Sequence, residues 1–228
     1  MPCLNEEDSV GLCIQKAYGA LEKEKLKGEV IIADNGSEDT SVEIARRAGA
    51  KVIKVKKRGY GAAYLGGIKA AKGDYLIFGD SDSSYDFSEI GKFIKELDKG
   101  ADLVIGSRLK GKIENGAMPH LHRFVGVPFL TFLVNFLFGT GISDAHCGMR
   151  AAKTERLKKL NLKSPGMEFA SEMIIAGALA NLKFAEVSIN YYRRIGTSKL
   201  NPVTDSARHL QFIFSSFFRK LTPYSANH

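Results

Sequence analysis

The chain has 228 residues, of which 44% are hydrophobic and 25% charged, and this composition excludes intrinsic disorder as its main description. The 33 lysines and arginines exceed the 25 acids by eight charges, so we expect an anionic partner: a nucleic acid, a phosphorylated small molecule or a membrane surface. The three cysteines form neither a disulfide framework nor a metal-binding spacing, and they predict buried thiols in a reducing compartment.

Two segments bear on membrane insertion and secretion. The first residues are acidic and turn-like, and a secretion signal would instead be basic and then apolar. Residues 124–143 carry no charge, but glycines and a proline interrupt them. The helix predicted from Phe129 to Phe138 would span only about 15 Å, half of a hydrocarbon core. The sequence therefore predicts no secretion and no transmembrane helix.

The first half of the chain alternates helical and extended patterns. Short apolar runs predict strands at 30–33, 52–55, 75–78 and 103–105. Apolar residues at helical spacing predict helices at 10–28, 40–48, 61–72 and 87–97. Such alternation indicates an α/β fold with a mostly parallel central sheet and helices on both faces.

The second half is less regular. It predicts an apolar segment to about 138, a loop at 144–150, a helix from about 169, a strand at 184–190, a basic loop at 193–199 and a last helix. No internal repeat or low-complexity linker divides the chain. We therefore expect a single domain over 1–220 and a tail at 221–228.

Acidic loops follow two of the predicted strands directly. Asp34 ends the first strand, and Asp80 and Asp82 follow the third. In parallel sheets ligands bind at the carboxyl ends of the strands, so both loops are predicted to lie on one rim. The Asp-Ser-Asp spacing lets two carboxylates reach one hard cation, Mg²⁺ or Mn²⁺. An isolated motif of this kind is more often a polar surface turn, and Asp34 could equally stabilise its own turn.

Two basic segments could hold phosphate. Residues 51–73 carry seven lysines and arginines and no acid, which favours a phosphate-holding role for Arg58 and the glycine-rich helix start, or simply a solvated face. Residues 193–199 place three cations and two hydroxyls around Gly196, a composition suited to a phosphate clamp. A nucleic-acid patch is the competing interpretation, but no recognition helix or aromatic RNA-binding motif accompanies it.

Three further features have weaker interpretations. His146 with Asp144 and Cys147 suggests zinc, but without a second ligand cluster the case is poor. No nucleophile elbow supports covalent hydrolysis. The aromatic stretches 124–138 and 210–218 fit a membrane interface, a protein core or packing against partner helices.

Taken together, these motifs resemble glycosyltransferase family 2, most closely its branch of dolichol-phosphate mannose synthases and polyprenyl-phosphate glycosyltransferases. The matching motifs occur in the family's order. They are Pro2–Glu7, Ala33–Asp39, Arg58–Ala62, Asp80–Asp86, Gly106–Arg108, Asp144–Arg150, Gly166–Met173 and Arg194–Leu200.

The resemblance implies a GT-A fold and an inverting, metal-dependent transfer of a hexose from a nucleotide-sugar of the GDP-mannose or UDP-glucose type. It implies that Asp80 and Asp82 place Mg²⁺ or Mn²⁺ on the diphosphate, that Asp82 is catalytic, and that Asp144, also catalytic, faces the acceptor. The residues implied to bind the nucleotide are Pro2, Asn5, Glu6, Glu7, Asp34, Asn35, Arg58, Gly59 and Asp80.

The acceptor implied is a polyprenyl (dolichyl) phosphate at the cytosolic face of a membrane. Such a monophosphate is already largely anionic at neutral pH and needs holding more than deprotonation. We therefore expect four residues to grip it: Arg150, Arg194, Ser198 and Lys199. Asp144 would orient the acceptor, or act as a base if the acceptor is a hydroxyl.

Two features depart from the family's pattern. Met1 stands where the last residue of an apolar first strand is usual, so that strand is expected to be missing. Many relatives also carry carboxy-terminal transmembrane helices, which this sequence lacks. It would resemble a cytoplasmic, peripheral enzyme, or depend on a separate membrane-anchoring subunit. The alternatives are transfer to a saccharide or other hydroxyl, a non-catalytic nucleotide-sugar-binding protein and, most distantly, a nucleic-acid binder.

Overall fold

The protein, described here by a computed structural model over residues 1–197 and 202–221, is a mixed α/β fold. Its strands are β1 (Pro2–Cys3), β2 (Ile31–Asp34), β3 (Lys51–Lys54), β4 (Tyr75–Phe78), β5 (Leu103–Ser107), β6 (Arg150–Lys153) and β7 (Phe184–Ser188). Its α-helices are α1 (Val10–Lys23), α2 (Ser41–Arg47), α3 (Tyr60–Ala70), α4 (Ile90–Asp98), α5 (Val127–Phe138), α6 (Thr154–Lys159), α7 (Phe169–Leu179) and α8 (Pro202–Leu221). A 3₁₀ turn (Phe87–Glu89) precedes α4, and a π-helical turn (His122–Gly126) precedes α5.

The strands form two sheets. One has the order β1-β2-β3 and is wholly parallel, and the other has the order β4-β6-β5-β7. Within the second sheet β5 and β7 are parallel, whereas β6 runs antiparallel to both β4 and β5. The mostly parallel arrangement with helices on both faces confirms the fold class predicted from the sequence.

The helices bury the faces that their apolar spacing predicts. In α4, the side chains of Ile90, Phe93, Ile94 and Leu97 are buried, and their spacing of three and four residues places them on one face. This face packs on β5 and β6. The sequence predicted this helix because its apolar residues recur with the helical period of 3.6, which places them on the side that is buried.

The first strand is short rather than absent. Pro2 and Cys3 pair in parallel with Ala33 and Asp34, and the ammonium of Met1 donates to the carbonyl of Ile31 at 2.9 Å. Burial lowers the pKa of this ammonium to about 6. An apolar cavity of about 560 Å³ lies next to this short strand and is lined by residues of β2 and β4.

Strand β6 and helix α6 are the main elements that the sequence pattern did not predict. The strand Arg-Ala-Ala-Lys contains no β-branched or aromatic residue, so it lacks the usual strand signature. It nevertheless lies between β4 and β5, with Ala151 and Ala152 buried. Position between two strands, a tertiary property, therefore selects the extended conformation here.

Helix α5 carries two polar residues that organise the loop after it. Thr131 Oγ1 accepts the backbone N–H of Ala145 at 3.1 Å. Asn135 donates to the carbonyl of Ile142 at 2.7 Å and accepts the N–H of the same residue at 3.1 Å. Thr131 and Asn135 thus fix the path of residues 139–145. Over residues 1–197 and 202–221, no helix is both long and apolar enough to cross a membrane.

The three cysteines are free and buried, as the sequence predicts. Burial raises the pKa of the Cys147 thiol to about 12. At neutral pH that thiol is protonated and unreactive.

Candidate active site

Three loops that follow β1, β2 and β4 meet at one rim of the fold. The hydroxyl of Ser81 donates to the carbonyl of Pro2 at 2.6 Å, and the hydroxyl of Ser9 donates to the carbonyl of Ser81 at 2.7 Å. These bonds join the loop after β1, in one sheet, to the loop after β4, in the other, although the two motifs lie nearly 80 residues apart in sequence. The loop after β1 thus contacts the acidic loop after β4, and it also contacts the acidic loop after β2.

The loop after β1 is connected to the loop after β2 by hydrogen bonds. The N–H of Asn5 donates to Ser37 Oγ at 3.0 Å, and the Asn5 side chain accepts the N–H of Glu38 at 2.8 Å. Glu7 Oε2 accepts both the N–H and the hydroxyl of Thr40, at 3.0 and 2.6 Å. Asn5 and Glu7, expected to bind the nucleotide, therefore also position the loop that carries Asp34.

Asp34 and Asn35 anchor the second loop. The Asp34 side chain is buried, and its Oδ1 accepts the N–H of Ser37 at 2.9 Å, so the turn-stabilising interpretation holds for that oxygen. Asn35 donates to the carbonyl of Lys57 at 2.8 Å and accepts the N–H of Gly59 at 2.8 Å. Arg58 donates to the carbonyl of Asn35 at 2.7 Å. The predicted nucleotide-binding residues 35, 58 and 59 thus form one hydrogen-bonded unit next to Asp34.

The start of α3 does not offer a phosphate site, contrary to the expectation from its glycines. The N–H of Gly61 donates to the carbonyl of Gly166 at 3.2 Å, and that of Ala62 donates to the carbonyl of Pro165 at 3.0 Å. A Cβ at Gly59 would lie 2.2 Å from the Pro165 carbonyl oxygen. These glycines serve close packing of the 164–166 segment, which occupies the helix donors that an anion would need.

Asp80 and Asp82 have different environments. Asp80 is half-buried, and its Oδ1 accepts the hydroxyls of Tyr60 and Tyr64, each at 3.0 Å. Desolvation, with the nearby charge of Asp82, raises the pKa of Asp80 to about 6. Asp82 Oδ1 accepts the N–H and the hydroxyl of Ser84, at 3.0 and 2.6 Å, which leaves Oδ2 directed elsewhere.

The donor set fits a hard divalent cation. Asp82 Oδ2 accepts no hydrogen bond in the described part of the chain and instead faces the guanidinium of Arg194, whose Nη1 lies 3.5 Å away. A positive group therefore already stands beside this oxygen. Carboxylate oxygens are the ligands that Mg²⁺ and Mn²⁺ prefer. Asp80, tied to two tyrosines and coupled electrostatically to Asp82, is the second carboxylate available.

Asp144 is not placed to contact an acceptor. Its side chain is fully buried, and Arg108 donates to it through Nε at 2.7 Å, Nη2 at 2.8 Å and the backbone N–H at 3.1 Å. The attraction of Asp144 raises the pKa of Arg108 further, although burial opposes it. This buried, bidentate pair corrects the expectation that Asp144 faces the acceptor, because both of its carboxylate oxygens accept hydrogen bonds from Arg108.

Arg150 is also a structural residue. Its guanidinium is buried and donates to the carbonyls of Cys147, Ala170 and Ala145 at 2.8 to 2.9 Å. With three N–H donors bonded to backbone carbonyls and its side chain buried, it is not placed to hold an acceptor phosphate, which corrects that expectation. Glu168 and Glu172 accept backbone N–H groups of residues 163–166 and form no salt bridge within residues 1–197 and 202–221.

Arg194 is the predicted phosphate-holding residue that lies at the rim. Its Nη2 is 3.1 Å from Glu6 Oε1, and its Nη1 faces Asp82. The N–H of Ile195 donates to the carbonyl of Asp82 at 2.9 Å and fixes the segment there. Ser198 and Lys199, the other predicted members of the phosphate clamp, lie outside the described residues.

A buried histidine pair joins the 144–150 loop to α8. The rings of His146 and His209 are 4.5 Å apart, and Ser171 Oγ hydrogen-bonds to both, at 3.2 and 2.8 Å. Burial lowers the pKa of His146, and it lowers that of His209 to about 4. Sequence spacing gives no signal for a pair 63 positions apart, and the described residues contain no cluster of three metal-binding side chains.

The histidine pair predicts acid-sensitive stability. The unfolded chain protonates a histidine near pH 6.5, whereas folded His209 does so only near pH 4, so the free energy of unfolding falls as pH falls through this window. We expect His209→Asn, which can replace Nδ1 in the bond to Ser171, to remove about 2 kcal/mol of the loss between pH 7.5 and 5.

Urea denaturation at both pH values measures this difference. The Met1 ammonium, whose pKa is lowered, also makes the free energy of unfolding fall as pH falls, whereas the raised pKa of Asp80 has the opposite effect. Both groups are present in the variant and in the unsubstituted protein, so their contributions cancel in the comparison. Equal pH dependence in both proteins would contradict the assignment.

Comparison with known proteins agrees with the geometry. The profile of the family described as glycosyl transferase family 2 matches residues 1–160. The low-salt glycan biosynthesis hexosyltransferase Agl6 of Haloferax volcanii is 43% identical over 214 residues, which cover 93% of this chain and 52% of that protein. The chain thus spans about half the length of this relative.

Two further similarities concern a second relative and the fold. A dolichyl-phosphate hexose transferase of Haloferax volcanii is 32% identical over 208 residues, covering 91% of this chain and 87% of the relative. The structure of glucosyl-3-phosphoglycerate synthase from Mycobacterium tuberculosis with Mn²⁺, UDP and glucosyl-3-phosphoglycerate superimposes with a TM-score of 0.74 at 24% identity, over 98% of this chain and 79% of that one. This structural likeness shows a shared GT-A-like fold. By its matched profile and its relatives, the chain is a glycosyltransferase that belongs to glycosyltransferase family 2.

Proposed function

We propose that this protein transfers a hexose from a GDP- or UDP-sugar to a polyprenyl phosphate, with inversion and with Mg²⁺ or Mn²⁺. The observation that carries the proposal is the meeting of three strand-end loops, two of which carry Asp34, Asp80 and Asp82. Two carboxylates suit the cation of a metal–diphosphate complex. Asp34, at the end of β2, suits the imide N–H of uracil or guanine.

The chain's own residues would orient the donor and stabilise its departure. Asp82 Oδ2 and Asp80 would hold the cation, which when bound neutralises negative charge that develops on the diphosphate leaving group. Tyr60 and Tyr64 fix the Asp80 carboxylate through its Oδ1. Glu7 and Asn5 keep the nucleotide loop in place through their contacts with residues 37–40.

A phosphate acceptor suits this site better than a hydroxyl. A phosphate monoester is already an anion at neutral pH and needs no general base, whereas a hydroxyl acceptor benefits from one. Asp144, the base expected from the sequence, is buried in its pair with Arg108. The name of the relative that is a dolichyl-phosphate hexose transferase supports the same acceptor class.

A membrane-facing surface is consistent with a lipid acceptor. The side chains of Phe124, Phe129, Phe132 and Phe136, on the π-helical turn and α5, are each at least half exposed. Next to α5, helix α8 exposes Phe214, Phe218 and Leu221 and bears Arg219 and Lys220. Apolar side chains beside basic ones favour binding to an anionic lipid surface. We propose accordingly that the reaction occurs at a membrane surface, at the cytosolic face, with the protein peripheral or held by a membrane subunit.

The proposal is tested with radiolabelled nucleotide-sugars. The purified chain is incubated with GDP-mannose, GDP-glucose, UDP-glucose or UDP-galactose, polyprenyl phosphate in anionic vesicles, and Mn²⁺, and the lipid is then extracted. We expect label in the lipid phase with one donor class and none after addition of EDTA. Absence of labelled lipid with every donor would overturn the proposal, and label in an added saccharide would redirect it to a hydroxyl acceptor.

A further inference from the structure

The segment after β7 lies directly across the acidic loop that follows β4. The N–H of Tyr192 donates to the carbonyl of Ser84 at 3.0 Å, and the N–H of Ile195 donates to the carbonyl of Asp82 at 2.9 Å. These backbone bonds flank Arg194 on both sides. The main chain of Arg194 is therefore held beside the acidic loop independently of the charge on its side chain.

The guanidinium of Arg194 bridges two loops of the donor site. Nη2 lies 3.1 Å from Glu6 Oε1, and Nη1 lies 3.5 Å from Asp82 Oδ2. The side chain is 27% exposed, and its Nε is buried without a hydrogen-bond partner. Buried donors in a native structure usually have partners. The guanidinium therefore faces a carboxylate with each of its two Nη atoms, while its Nε–H remains without an acceptor.

Arg194 provides positive charge at the oxygen that the proposed function assigns to a divalent cation. Asp80 and Asp82 carry like charges two residues apart, and the guanidinium of Arg194, 3.5 Å from Asp82 Oδ2, offsets their repulsion. A guanidinium and a divalent cation cannot both pair closely with Asp82 Oδ2, because the two positive charges repel. Binding of the metal–donor complex thus requires the guanidinium to leave.

We propose that Arg194 is a resident counter-ion of the donor site, which the metal–nucleotide complex displaces and which then pairs with phosphate. The inference rests on the proposed function, because that function gives Asp82 its role toward the metal. Once released, the guanidinium has all five N–H donors available at the rim, where forked donors suit a phosphate. Gly196, with φ of 85°, lies two residues on and provides a backbone conformation that other residues adopt rarely.

Manganese binding without nucleotide tests the first half of the proposal. Free Mn²⁺ is titrated by its electron paramagnetic resonance signal against the full chain, Arg194→Gln and Arg193→Gln. The neighbouring Arg193 is the matched control because its Nε donates to the carbonyl of Asn115 at 2.6 Å, away from the aspartates. We expect Arg194→Gln to bind Mn²⁺ about fivefold more tightly, the change expected for loss of one partly exposed ion pair, and Arg193→Gln to match the unsubstituted protein.

Two further variants make the result specific. Asp82→Asn combined with Arg194→Gln should abolish the tighter binding, which shows that it arises at this carboxylate. Arg194→Lys retains a positive charge and should bind Mn²⁺ as the unsubstituted protein does, even if the glutamine variant proves unstable. Unchanged or weaker Mn²⁺ binding by a folded Arg194→Gln, or tighter binding by Arg194→Lys equal to that of the glutamine variant, would overturn the inference.

The second half concerns phosphate. We expect Arg194→Gln to raise the apparent KM for polyprenyl phosphate while Mn²⁺ binding tightens, two changes that a merely structural defect would not combine. An unchanged KM would contradict the pairing with phosphate. Failure of the inference remains distinguishable from failure of the proposed function: labelled lipid with unaltered Mn²⁺ affinity rejects only the counter-ion, whereas tighter Mn²⁺ binding without transfer to any lipid rejects only the function.

Discussion

Asp82→Asn is expected to reduce hexose transfer by about 10²- to 10³-fold, the range found when one group that stabilises developing negative charge is removed. Asparagine has nearly the same shape, and its side-chain oxygen can still accept the N–H and hydroxyl of Ser84. The loop should therefore keep its conformation while losing the charged Oδ2. The measurements are the rate of label transfer to lipid and the melting temperature, which we expect to change little.

Asp86→Asn is the matched control for this prediction. Asp86 lies four residues further along the same loop, where its side chain accepts the N–H of Ser88 at 3.1 Å and pairs with Lys16 at 3.3 Å. Asparagine also caps helical turns well. We expect transfer within about twofold of the unsubstituted protein, since the pair with Lys16 is partly exposed and lies away from the two aspartates assigned to the cation. Comparable transfer by Asp82→Asn and Asp86→Asn would contradict the assignment of Asp82.

Asp144→Asn is expected to lower the free energy of unfolding by about 3 to 5 kcal/mol, because it leaves the buried charge of Arg108 uncompensated. For a chain of this length the melting temperature should fall by about 10 °C. Differential scanning fluorimetry in the absence of ligands measures the effect. The prediction follows from burial and geometry alone and does not depend on the proposed reaction.

Two variants test whether the loss of stability comes from the buried charge and not from any loss of an ion pair. Arg108→Met in the Asp144→Asn background should recover part of the lost stability, because no unpaired charge then remains buried. Glu96→Gln removes the partner of Lys99 in an exposed pair at 2.7 Å, and its melting temperature should shift by less than about 2 °C. An unchanged melting temperature for Asp144→Asn would mean that the pair is not formed in solution and would restore Asp144 as a candidate base.

Local patterns predicted the elements that bury apolar side chains with a regular period. The predicted strands at 75–78 and 103–105 correspond to β4 and β5, and the helix at 87–97 corresponds to the 3₁₀ turn and α4. The prediction failed for β6, whose Ala-Ala pair carries no strand preference. Its conformation depends on β4 and β5, which lie on either side of it and are distant in sequence.

In the candidate site, too, some features could be predicted from local sequence and others depended on tertiary contacts. Strand-end position predicted that Asp34, Asp80 and Asp82 lie on one rim. In the structure the loop after β1 joins the loops that carry them, although β2 and β4 belong to different sheets. Residue type alone could not distinguish Arg194, which reaches that rim, from Arg150, whose donors are taken by buried carbonyls. Both are arginines in motifs of the family, and only the surrounding backbone separates their roles.

By itself, the sequence determined the α/β class, the order of most elements, the positive charge and the motifs of family 2, because each is encoded by local composition or spacing. The tertiary structure decided which charged groups are paired and which face the site. Asp144 finds its partner 36 residues away in Arg108, and Arg194 finds Glu6 across 188 residues. Such pairings depend on how the strand-end loops converge when the apolar faces pack, which no local window of the chain contains.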